Sequence, residues 1–193
     1  MITFVKYKAA ALLLLCMTMA ACSVFETREP EPPGRGDGSA FIQPDQATDV
    51  IDNLKNAIAS LNHANYLRCL SDDRFEYTPS GQAQNTDPDL WQGWSKDDES
   101  VYFNNMRASS ESFTGHQLQV ENENPDFNPD DTQQYSADYT LTVDNNEDIP
   151  KVATGTMRLT LKAGDDGLWS IVEWVDSQDS GSFSWSDIRA SYR

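Results

Sequence analysis

The chain is poor in the residues that carry most recognisable chemistry. It has two His and three Cys in 193 residues, and the histidines have no partners at zinc-ligand spacing, so neither a zinc module nor a disulfide scaffold fits. Basic residues are also scarce, with 14 Lys+Arg against 31 Asp+Glu and a formal net charge of −17. No basic stripe offsets this charge, which excludes nucleic acid and anionic membrane surfaces as partners. The longest apolar run, Ala9 to Leu15, is well short of the roughly 20 residues a spanning helix needs. Gly-x-Ser-x-Gly elbows, Gly-rich phosphate loops, dinucleotide fingerprints and paired Cys motifs are all missing, as are internal repeats. Aromatic residues, by contrast, are plentiful. Five Trp, seven Tyr and eight Phe supply the bulk for one core of ordinary domain size.

At the N-terminus, Lys6 and Lys8 precede the run Ala9 to Leu15, which leads into Cys16-Met17-Thr18-Met19-Ala20-Ala21-Cys22. This is the layout of an export signal. Met19-Ala20-Ala21-Cys22 resembles a bacterial lipobox, with Met19 where that family prefers Leu. The resemblance implies cleavage after Ala21 and lipidation of Cys22; an ordinary secretory signal cut near Ala21 is the rival reading. Removing residues 1–21 leaves 172 and, with Lys6 and Lys8 gone, moves the formal charge to −19. Several acyl chains anchor far more firmly than one, since each buried CH₂ contributes about 0.8 kcal/mol. The expected place is the cell envelope, with the protein lipid-anchored and facing the periplasm or the surface. Ser23 is not the Asp that retains many such lipoproteins in the inner membrane, which favours the outer membrane by analogy.

Residues 22–43 read as the anchored linker, because Pro30, Pro32, Pro33, Gly34, Gly36 and Gly38 stand among few apolar residues. Arg35-Gly36-Asp37 matches an integrin-binding tripeptide, a match this composition makes by chance. With Cys16 cleaved and Cys22 lipidated, Cys69 is the single thiol of the folded part. Its setting, Tyr66-Leu67-Arg68-Cys69-Leu70, predicts a buried, inert side chain.

Residues 44–193 read as one α+β domain. Val50, Leu54, Ile58 and Leu61 recur at helical spacing and predict a helix over about 45 to 61, with Asp45 as N-cap and Asn62 as terminator. A short helix over Ala64 to Leu70 follows, then a strand at Phe75 to Thr78, a polar loop from Ser80 to Pro88, and a helix over about 96 to 108 capped by Ser95. Leu118 and Val120 start a strand that ends in an acidic loop, Glu121 to Thr132. Tyr135 to Val143 and Ala153 to Ala163 alternate strictly, as strands with one wet face do. Gly164-Asp165-Asp166-Gly167 is a hairpin loop. Leu168 to Val175 is apolar on both faces, with Trp169, Ile171 and Val175 on one side and Leu168, Val172 and Trp174 on the other. Trp185, Ile188 and Tyr192 give a final helical turn.

This order resembles the cone of the NTF2-like (SnoaL-like, cystatin-like) group: N-terminal helices packed on a curved antiparallel sheet. The helical run Val50 to Leu70 leading into Phe75-Glu76-Tyr77, the helix at Val101-Tyr102-Phe103, and Trp169 to Trp174 with Trp185 carry the likeness. The resemblance implies a space between helices and sheet, which in family enzymes holds Tyr and Asp, or His and Asp, for isomerase or dehydratase chemistry. Tyr66, Trp91, Tyr102 and Trp174 are the candidates to line it, or to fill it as an ordinary core. His63, between two helices, and His116, after Gly115 in a turn, read as surface or capping residues. No motif fixes a catalytic residue. Asp126-x-Asn128-x-Asp130 has the opening spacing of a calcium loop, but Asp131 and Ala137 stand where Gly and Glu are needed, so neither metal nor cofactor is expected. Two functions fit: a membrane-anchored binding or assembly module whose acidic surface or cone mouth meets an envelope partner, with pairing of two copies through the sheet face implied by the resemblance, or a cavity enzyme or small-molecule carrier.

Overall fold

The computed structural model describes residues 41–110, 115–128, 132–144 and 149–193. The export signal, Cys22, the linker up to residue 40 and the Arg35-Gly36-Asp37 tripeptide lie outside them.

Helix α1, Ala47–Ala59, buries Val50, Ile51, Leu54, Ala57 and Ile58 on one face, as the spacing requires. Its N-cap is Gln46 rather than Asp45, because Asp49 in the first turn reaches back to accept from the Gln46 N–H at 3.1 Å. The helix ends at Ala59, since buried Leu61 turns left-handed at φ 47° and Asn62 N–H returns to the Ala57 carbonyl at 2.8 Å. Asn62 is thus the N-cap of helix α2, His63–Arg68, where its side chain accepts from Asn65 N–H at 3.0 Å.

Strand β1, Glu76–Thr78, is followed by a short helix α3, Gly81–Thr86, where a loop is expected from composition. Ser80 makes the difference: its hydroxyl accepts from Ala83 N–H at 3.3 Å, and Ala83 and Trp91 are buried beside it. Helix α4, Lys96–Ser109, starts at Ser95 as predicted, with Asp98 accepting from both Ser95 groups at 2.8 Å. Its inner face is Glu99, Tyr102, Phe103 and Met106, while Val101 is exposed.

Four long strands follow: β2, Gln117–Asn128; β3, Thr132–Thr142; β4, Val152–Ala163; and β5, Trp169–Gln178. Helix α5, Trp185–Ser191, closes the fold. The sheet order is β1-β5-β4-β3-β2, antiparallel except for the parallel β1–β5 pair. Much of the expected acidic loop is strand, pairing Asp126 with Gln134 and Asn128 with Thr132. Glu121 to Asp126 are exposed, so no apolar alternation marks them as sheet. A bulge between Glu121 and Asn124, with Asn122 at φ 52°, interrupts the ladder there.

β3 and β4 keep the predicted alternation, burying Tyr135, Ala137, Tyr139 and Leu141 against Leu159, Met157, Gly155 and Ala153 in register. β5 departs from it. Thr160 pairs with Glu173 and Leu161 with Ile171, so Val172 is an extra residue that shifts the parity. Ile171, Trp174 and Asp176 are therefore the buried residues, and Trp174 and Ile171 share the face on which α1 and α5 pack.

Candidate functional site

The space between helices and sheet is occupied by the protein's own side chains. Tyr66 from α2, Tyr102 from α4 and Trp174 from β5 are buried there, and Trp91 is buried nearby against Tyr77 and Trp94. All four candidate lining residues therefore sit in the packed interior. Tyr66 lies 6.3 Å from Tyr102, ring centre to ring centre, and Trp174 meets Trp185 edge-on at 4.6 Å.

What composition did not suggest is the charge among them. Glu99 and Arg189 have fully buried side chains, with Arg189 Nε donating to Glu99 Oε1 at 2.8 Å. Glu99 also accepts from Tyr66 OH at 2.6 Å and from Trp94 Nε1 at 2.8 Å. The Arg189 guanidinium carbon is 4.1 Å from the Tyr77 ring centre, 4.4 Å from Trp174, 5.1 Å from Trp185 and 5.5 Å from Tyr102. Burial, the largest influence, would lower the Arg189 pKa, but Glu99 together with Tyr77, Tyr66 and Tyr102 outweighs it, so the pKa stands well above its ordinary value and the group stays charged. The same burial, reinforced by Glu99, raises the Tyr66 pKa well above its ordinary value, so Tyr66 is a donor and not a base.

A second buried carboxylate, Asp176, ties the start of α5 to the sheet. It accepts from Tyr139 OH at 2.7 Å, from Ser186 N–H at 2.8 Å and from the Ser186 hydroxyl. Tyr139 in turn accepts from Trp185 N–H at 2.7 Å, and Ser186 Oγ accepts from Ser80 N–H at 2.8 Å. The start of α5 is therefore pinned to β1, α3, β3 and β5 at once. Helical spacing held the signal for two of these charges: Glu99 lies on the stripe of Tyr102, Phe103 and Met106, and Arg189 on that of Trp185 and Tyr192. Asp176 was hidden by the bulge at Val172.

The histidines lie elsewhere. His63 Nε2 is 2.9 Å from Ser100 Oγ and 3.1 Å from Asn104 Nδ2, a link between α2 and α4, and burial lowers its pKa. His116 is buried rather than exposed in a turn, and its Nδ1 accepts from Asp144 N–H at 3.2 Å. Cys69 is buried, its thiol donates to the Asn65 carbonyl at 3.2 Å, and burial pushes its pKa up to about 12. No cluster of metal-ligating side chains occurs among the described residues.

Outside the core, an open groove of about 1040 Å³ runs between the α2–β1 segment and the β4–β5 hairpin. Phe41, Leu67 and Trp169 give it apolar surface, with Arg68, Lys96 and Asp166 among its charges. Most of that charge is paired within the protein: Lys96 Nζ meets Asp72 at 2.6 Å and the Leu70 carbonyl at 2.7 Å, and the Arg68 guanidinium stacks 3.6 Å from the Phe41 ring centre.

No protein-family model matches the chain, and no curated protein matches it by sequence. Solved structures do match it in shape. An NTF-2-like protein of unknown function from Shewanella oneidensis has 12% identity over 68% of this chain and 95% of its own, with a TM-score of 0.50. A provisionally assigned calcium/calmodulin-dependent protein kinase II association domain from Xanthomonas campestris has 14% identity over 75% and 96%, with a TM-score of 0.52. A provisionally assigned scytalone dehydratase from Novosphingobium aromaticivorans has 9% identity over 66% and 78%, also at 0.52. Likeness at such low identity concerns the fold, and with helices packed on a five-stranded, mainly antiparallel sheet, the chain has the NTF2-like α+β fold.

Proposed function

We propose that this chain is a lipid-anchored protein of the bacterial cell envelope, held in the outer membrane through Cys22, whose NTF2-like domain is a binding or assembly module. The observation that carries the second half is the filled cone: Arg189, Glu99 and their ring partners occupy the place where a cavity enzyme of this fold would hold substrate. Among the described residues, the acid and base inside the cone are paired with each other and shielded by packed rings, which favours the module over isomerase or dehydratase chemistry there. The module's working surfaces are then external. Its acidic exterior, the wet sheet face of β3 and β4, and the groove beside Trp169 are available to a protein partner or a second copy. The fold mate assigned as an association domain gives this reading a structural precedent, and the one assigned as a dehydratase gives the rival its own.

The test is native mass spectrometry of the full chain, purified from a bacterial host without denaturation, together with crosslinking in the intact envelope. The expected result is a protein free of small molecules that crosslinks to an envelope protein or to itself. A small molecule retained at one per chain would overturn the module reading in favour of a carrier or cavity enzyme.

A further inference from the structure

We infer that the interior of the cone is a preformed receptor site for a small organic cation, of guanidinium or alkylammonium class, and that the chain supplies its own occupant in Arg189. The inference is independent of how the protein is anchored. Four aromatic rings surround the guanidinium carbon within 5.5 Å, and one carboxylate faces it, which is how proteins hold organic cations.

Two features make this a site rather than an ion pair that exists only because both partners are present. The carboxylate is positioned without Arg189, because Tyr66 OH and Trp94 Nε1 donate to its two oxygens at 2.6 and 2.8 Å. The helix that delivers Arg189 is also held without its side chain: Asp176 takes Ser186, Tyr139 takes Trp185 N–H, and Asn105 Nδ2 donates to the Tyr192 carbonyl at 2.8 Å. Both the carboxylate and the closing helix therefore have anchors that do not involve the Arg189 side chain.

Arg189 also fits the box imperfectly. Its Nη1 is buried with no hydrogen-bond partner, and so is Trp174 Nε1, whose ring forms one wall. The box therefore holds a cation through its ring faces, one carboxylate and a long contact from Nη2 to Tyr66 OH at 3.4 Å, and does not use the full guanidinium donor set. A free cation with fewer N–H groups, such as a primary alkylammonium, meets the same walls.

The experiment is a thermal melt of the full-length Arg189→Ala variant with and without methylguanidinium or ethylammonium at millimolar concentration, against equal NaCl. The variant should keep the native far-UV spectrum, melt roughly 10 °C below the unsubstituted protein, and regain several degrees saturably with either cation. NaCl should give no such gain, and neither should the cations on the unsubstituted protein, whose site is occupied. The double variant Arg189→Ala, Glu99→Gln should lose the saturable response. If Arg189→Ala does not fold alone, its refolding yield from urea with the cation against NaCl reads the same property. Absence of any saturable gain in melt and yield would overturn the inference, as would an equal gain for the unsubstituted protein, which would place cation binding elsewhere.

Discussion

At the scale of single residues, the interior is set by charges that only their partners make tolerable. Glu99 and Arg189 are both fully buried, and a buried charge robbed of its partner is costly. Replacing Glu99 by Gln keeps the shape but leaves Arg189 unpaired among rings, so unfolding free energy should drop by about 3–5 kcal/mol, read as a lower urea midpoint at unchanged slope. A loss under about 1 kcal/mol would mean that the rings alone support the guanidinium. Cys69 gives a second, pH-dependent expectation. Burial raises its pKa from 9.0 to about 12, so the folded state prefers the thiol. That preference contributes fully below pH 9 and is lost as pH rises towards 12, so Cys69 should make stability fall by up to about 1.4 kcal/mol per pH unit in that window. Cys69→Ala should flatten this slope in alkaline denaturant melts. The native thiol should also resist a thiol reagent at pH 8 and react once urea unfolds the chain.

At the scale of elements, the legible parts of the sequence were those where one face is buried and the period is unbroken. Val50 to Ile58, Tyr135 to Val143 and Ala153 to Ala163 announce their faces because the core demands an apolar residue at each turn or every second position. β2 beyond Glu121 did not, since Glu121 to Asp126 are all exposed and carry no apolar signature, and β5 misled because one extra residue, Val172, reverses its parity midway. α3 was hidden for another reason: a six-residue helix carries too few apolar positions, and its cap, Ser80, has meaning only through contact with Ala83, Ser184 and Ser186. Gly155 acts through space. A Cβ there would lie 2.1 Å from the Ser177 carbonyl oxygen and 3.0 Å from Tyr139 OH, so β4 and β5 close only around a bare backbone. Gly155→Ala should cost about 3 kcal/mol, near the top of the overpacking range. Gly81→Ala is the matched control: nothing lies within 4 Å, the position opens α3, and the change should be neutral or stabilise by up to about 1 kcal/mol. Equal effects from the two in denaturant melts would sink the close-approach argument.

At the scale of the whole molecule, fold class and the element order apart from α3 could be read ahead of the structure, while the content of the cone could not. Tyr66, Trp91, Tyr102 and Trp174 were identifiable as interior rings, but whether they enclose a space or a side chain depends on where α5 lands, and that is set by contacts from Ser80, Tyr139 and Asp176 across the chain. The surface raises the remaining question of what would keep such a protein at a membrane. Its net charge of −17 repels anionic headgroups, and no helix among the described residues is long and apolar enough to cross a bilayer. If the protein is membrane-bound as proposed, its acidic surface does not do the holding, and attachment should depend on Cys22. Expressed in a bacterial host with labelled palmitate, the full chain should incorporate label and sediment with membranes. Salt at about 1 M, which shrinks the screening length to roughly 3 Å, should not release it, because acyl chains and not charges hold it. Cys22→Ala should lose the label and either leave the membrane fraction or accumulate as an uncleaved precursor. Palmitate that persists on Cys22→Ala would remove the lipid anchor from the account, and release of the unsubstituted chain by salt would show that an electrostatic contact had been holding it.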